Sequence, residues 1–121
     1  SVALGHGPVA LRQAEQAWRR ADQARDVFLV ARTRRSRAGA LRLLGRLDEA
    51  AQQLRTSIEE LTRIGRPLSV AASLRELVDV LDLQGRHLEA NEVHRQWSAA
   101  AHAAGVADRT EITSTATRFH R

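Results

Sequence analysis

A shift of 40 residues lays this chain onto itself, and that self-similarity limits its possible folds more than any other feature. Gly5, Gly45 and Gly85 fall together, and so do Ala10, Ala50 and Ala90. Leu4 falls on Leu44, Leu41 on Leu81, Leu43 on Leu83, Val30 on Val70, Ala31 on Ala71 and Gly65 on Gly105. The clearest shared phrase is Gly45-Arg46-Leu47-Asp48-Glu49-Ala50 against Gly85-Arg86-His87-Leu88-Glu89-Ala90. A glycine and an alanine at a fixed distance, three times over, mark a repeated supersecondary unit. Such a unit buries its apolar face only by stacking on its neighbours.

Each phrase sits between two segments with helical spacing. Leu47, Ala50, Ala51, Leu54, Ile58, Leu61 and Ile64 keep the three-and-four interval of one helical face. Leu68, Ala71, Leu74, Leu77, Val78 and Leu81 form the next stripe, and Gly65-Arg66-Pro67 separates the two. The pattern predicts five helices, near 8–24, 26–44, 47–64, 67–84 and 87–104, with Gly7-Pro8 opening the first. Connections of a few residues force antiparallel neighbours. No segment alternates as a strand does, so the expected fold class is all-α.

Composition agrees. Hydrophobic residues make up 43% of the 121, aromatics only 3%, which suits closely packed helices and not a β fold. The absence of cysteine excludes disulfides, thiol catalysis and cysteine-based zinc sites within these residues. No run reaches the roughly 20 apolar residues that span a bilayer, and no signal-peptide pattern opens the chain. The expectation is a cytoplasmic protein without a membrane role. Methionine is missing even at position 1, which reads as a domain excised from a larger parent or a processed product. All 19 basic residues are arginine and the net charge is +5. Seven of these arginines lie between Arg25 and Arg46 against one acid, Asp26.

A glycine turn within a helical hairpin, an alanine five residues on and a leucine stripe before it resemble the tetratricopeptide repeat (TPR). That family's pattern is W-x2-L-G-x2-Y, then A-x3-F, then P. The last unit reads Leu74-x2-Leu77-Val78-x2-Leu81 and then Ala90-x3-His94; the middle unit reads Arg34-x2-Arg37-Ala38-x2-Leu41 and then Ala50-x3-Leu54. Ala38, Ala50 and Ala90 fit the close helix packing of the family. Arg34 and Arg37 depart from it, standing where large apolar residues belong, and His94 replaces an aromatic ring.

The period is longer than the family's usual 34, as in the arrays of some large bacterial multidomain regulators. The resemblance covers residues 1 to about 105. It implies antiparallel hairpins stacked as a right-handed superhelix, with a half unit at 1–24 and full units at 26–64 and 67–104. Residues 106–121 then form a capping helix or a flexible tail, with Asp108 and Glu111 as a capping box and Ile112, Ala116 and Phe119 on one face.

The sequence offers little chemistry. His87, His94 and His102 lack the i, i+4 spacing of a helical zinc site, and no phosphate-cradling glycine loop follows a strand. Ser57, Ser69, Ser73 and Ser98 lie within helices and not at a nucleophile elbow. No metal, cofactor or catalytic set is expected, and the chain reads as a binding module and not an enzyme.

The resemblance implies a scaffold for protein–protein interaction in a transcriptional or signalling regulator. In such arrays the first helix of each pair lines the concave groove. By that phase Arg32, Arg35, Gly39 and Arg42 share one face, and Ala72, Arg75, Asp79 and Asp82 follow from the next unit. The expected partner-binding residues are therefore Arg32, Arg35, Arg42, Arg75, Asp79 and Asp82, and the expected partner is a protein or peptide with acidic groups. Two alternatives remain at this level. Arg32, Arg34, Arg35 and Arg37 could contact nucleic acid, and exposed repeat ends, or Trp18 and Trp97, could support self-association.

Overall fold

The computed structural model describes the backbone of residues 2–119 and the side chains of residues 6–105. It is all-α. Five helices follow one another: α1 (Val2–Gln23), α2 (Val27–Leu43), α3 (Leu47–Arg63), α4 (Pro67–Leu83) and α5 (His87–Phe119), with no strand among the described residues. The extensive packing is between sequence neighbours, α1 on α2, α2 on α3, α3 on α4 and α4 on α5.

One turn, used four times, sets this arrangement. Its central residue lies in the left-handed region: Arg25 at φ 55°, Gly45 at 75°, Gly65 at 72° and Gly85 at 77°. The amide of the following residue bonds back five residues to close each helix: Asp26 to Ala21 (3.0 Å), Arg46 to Leu41 (2.9 Å), Arg66 to Leu61 (3.0 Å) and Arg86 to Leu81 (2.9 Å). Each central residue bonds back in parallel, as Gly45 does to the Arg42 carbonyl at 3.0 Å. This is the Schellman closure, and left-handed backbone is why glycine fills three of the four positions. The acceptors Ala21, Leu41, Leu61 and Leu81 are all buried, so the turn and the core are fixed by the same residue.

Three features depart from the sequence expectation. Gly5 and Gly105 fall on the glycine period yet lie inside helices, because no turn follows them. Pro8 does not open the first helix: α1 begins at Val2 and carries the proline within it, where it contributes no N–H to the ladder. The segment 106–119 continues α5 without a break instead of starting anew, and its expected apolar face lies outside the described side chains.

The core runs through α2 to α5. Leu41, Leu54, Leu77 and Leu81 are essentially inaccessible, joined by Ala38, Ala50, Ala51, Leu74, Val78, Val80, Ala90 and Val93, with Ile58, Val70 and Trp97 packed against them. Replacing any of those four leucines by alanine costs about 2–5 kcal/mol. Small residues bring the backbones close, and at Gly7 a Cβ would stand 2.8 Å from the Leu44 side chain. Polar links complete the assembly. Ser57 Oγ donates to the Ala31 carbonyl at 2.8 Å, Gln84 Nε2 donates to Asp48 at 2.6 Å, and Arg55 pairs with Glu89.

Candidate partner-binding groove

Because α2 and α4 stand one repeat apart, equivalent faces of the two helices look across a shared cleft of about 280 Å³. Arg35, Ser36, Gly39 and Arg42 form the α2 wall, and Glu76 and Asp79 form the α4 wall. Ala38, Leu54 and Val80 make an apolar floor. Helical spacing explains the walls: residues 35, 39 and 42 recur at four and three, so they project from one face.

The charges are opposite across the cleft. Arg35 Nε lies 3.2 Å from Glu76 Oε1 and ties the two walls together. Arg75 donates to Asp79 at 2.8 Å along α4, and its guanidinium lies 5.9 Å from the Trp97 ring. Burial pushes the Glu76 carboxyl above its ordinary value, outweighing the pull of Arg35 and Arg42. Arg42 has no carboxylate within 4.0 Å among the described residues. Gly39 is a helix-interior glycine whose absent Cβ would meet nothing within 4 Å. Such a glycine costs roughly 0.5–1 kcal/mol relative to alanine.

Of the residues expected from sequence, Arg35, Arg42 and Asp79 line this cleft, and Arg75 adjoins it through Asp79. Arg32 and Asp82 do not line it. The Arg32 guanidinium sits 5.7 Å from the Phe28 ring, with that of Arg66 at 3.9 Å from the same ring. Asp82 faces the α4–α5 turn, 3.1 Å from His87 Nδ1. Sequence reasoning missed Ser36 and Glu76. Both stand immediately after the arginines it chose, at equivalent places in the repeat, and a face counted only in threes and fours passes over them.

The four clustered arginines do not share a surface. Arg34 Nε donates to Glu60 on α3 at 2.9 Å, with its guanidinium 5.7 Å from the Trp18 ring of α1. Arg37 pairs with Glu15 of α1 at 3.6 Å. Both bridge helices inside the array, while Arg35 faces the cleft. Among the described residues there is no cluster of three or more metal-ligating side chains, and no helix is long and apolar enough to cross a membrane.

These observations define an all-α array of antiparallel helices with a two-signed cleft between alternate helices. Comparison with family models, with curated proteins and with solved structures returns no match to the chain.

Proposed function

We propose that the chain is a TPR-like helical-repeat interaction module that holds a segment of a partner protein in the α2–α4 groove. The observation that carries this reading is the convergence of Arg35, Arg42, Glu76 and Asp79 on one open cleft with an apolar floor. Paired charges around an apolar strip suit an extended polypeptide, whose alternate side chains meet opposite walls. The stacking of equivalent hairpins and the repeated turn support a TPR-like superhelix, and with it a place in a larger bacterial transcriptional or signalling regulator in the cytoplasm. The module acts by binding and carries out no reaction of its own.

Nucleic-acid contact through the arginine cluster has less support, since Arg34 and Arg37 are spent on Glu60 and Glu15. The test is the double substitution Arg35→Glu with Arg42→Glu. It is expected to abolish partner capture while circular dichroism retains full helicity. Unchanged capture by a folded variant refutes the groove.

A further inference from the structure

Gly39 is a residue that the fold itself does not require. It lies in the interior of α2, its φ is not positive, and a Cβ added there meets nothing within 4 Å. Neither backbone nor packing asks for glycine, and the residue weakens its helix. What its missing side chain provides is room. The cleft opens over Gly39 onto the apolar floor of Ala38, Leu54 and Val80.

One turn further along the same wall stands Arg42. Arg35 is held by Glu76 and Arg75 by Asp79, whereas Arg42 has no such carboxylate among the described residues. With those pairs made, Arg42 is the arginine of the cleft wall left without a carboxylate within 4.0 Å among the described residues, and it stands beside the opening over Gly39. Among the described residues no aromatic side chain lines the cleft, so they offer a nucleic-acid base no stacking platform there.

We infer that Gly39 opens a socket for one aliphatic side chain of an extended partner segment, and that Arg42 receives an acidic side chain two residues along that segment. This rests on the groove reading above and assigns its specificity. In an extended segment, side chains two apart lie on one side at about 6.5–7 Å. Gly39 and Arg42 are about 4.5 Å apart along the helix axis, and the arginine side chain spans the difference. The guanidinium fork then meets the carboxylate with two donors.

The test pans a randomised octapeptide library, displayed inside a loop so that no free terminal carboxylate is present, against the full chain. Enriched peptides are expected to share an aliphatic residue followed two positions later by Asp or Glu. Gly39→Leu should weaken their binding by roughly tenfold or more, the weight of one buried aliphatic side chain. The milder Gly39→Ala should raise the thermal midpoint by roughly 2–5 °C while still weakening binding. Stability and affinity thus move in opposite directions, which a purely structural glycine would not produce. Arg42→Gln should cost roughly five- to tenfold, and nothing once the acid of the peptide is replaced by glutamine.

An enriched motif without an acid, or binding indifferent to Gly39→Leu, overturns the socket. If such binding is still lost in the Arg35→Glu, Arg42→Glu variant, the groove reading survives that failure. Enrichment of no peptide, with retention of a single-stranded RNA oligomer by the same chain, overturns both.

Discussion

Leu74 and Leu77 of α4 are buried, whereas their counterparts one repeat earlier, Arg34 and Arg37 of α2, are arginines. The surroundings change with them. Glu60, which receives Arg34, corresponds to Ala100; Glu15, which receives Arg37, corresponds to Arg55; and Trp18, beside Arg34, corresponds to Ile58. The two hairpins thus share their turn and the length of their first helix while holding their neighbours by different means. At these equivalent positions one uses guanidinium bridges, the other aliphatic packing. The lesson is that the repeat specifies backbone closure, and the interior chemistry is exchanged as a set.

The sharpest way to break this contrast is to move an arginine without its partners. Leu74→Arg is expected to cost about 3–5 kcal/mol in denaturant unfolding, since no carboxylate stands at Ala100 to receive it. Adding Ala100→Glu should return part of that loss. A loss below about 1 kcal/mol would show the two interiors to be interchangeable.

A smaller loss is expected from the other hairpin. Glu60→Ala should cost roughly 1–2 kcal/mol, because Arg34 is left with only partial access to water. The pair Arg34→Leu with Glu60→Leu should stay within about 1 kcal/mol of the parent, as an apolar replacement of an ion pair often does. Equal destabilisation by the single and double variants would count against the bridge.

The turns offer a comparison of their own. Arg25 alone occupies the left-handed position without being glycine, so Arg25→Gly should stabilise by about 0.5–1 kcal/mol. Gly45→Arg should destabilise by a similar amount. Loss of stability in Arg25→Gly would contradict the shared-turn account.

The smallest effect concerns pH. Burial holds the Glu76 carboxyl above the ordinary glutamate value of 4.5, against the pull of Arg35 and Arg42. A carboxyl raised on folding takes up its proton more readily in the folded chain. Its contribution therefore favours folding in acid and is lost as pH rises past 4.5 through the folded value. Urea midpoints of the parent should fall slightly relative to Glu76→Gln across that window. A constant difference between the two would refute the burial of the charge.

Most of the fold was legible because turn and period are local signals. Gly45, Gly65 and Gly85 each stand just after an apolar stripe, and the sequence placed all three turns correctly. Gly5 and Gly105 carry the same letter at the same period, but a glycine is permissive and not obligatory for a turn. The Arg25 turn carried no such letter, and the sequence placed its break between 24 and 26 from the helical segments alone; its left-handed closure shows in the backbone bonds of Arg25 to Asp22 and Asp26 to Ala21. At the groove, the phase implied by the family resemblance led to Arg35, Arg42 and Asp79, which line the cleft, and to Arg32 and Asp82, which do not. It could not reach Glu76, whose place depends on how α4 is rotated against α2. Nor could it separate Arg35, which faces the cleft, from Arg34 and Arg37, whose acids lie 26 and 22 residues away.

The claim that the α2–α4 cleft holds the partner has a direct test in a chain without cysteine. Ser36→Cys places a single photo-reactive label on the α2 wall, and Ser98→Cys places the same label on α5, away from the cleft; both serines are exposed. The partner is expected to cross-link from position 36 and not from position 98. Equal cross-linking from both, or from position 98 alone, would contradict the account.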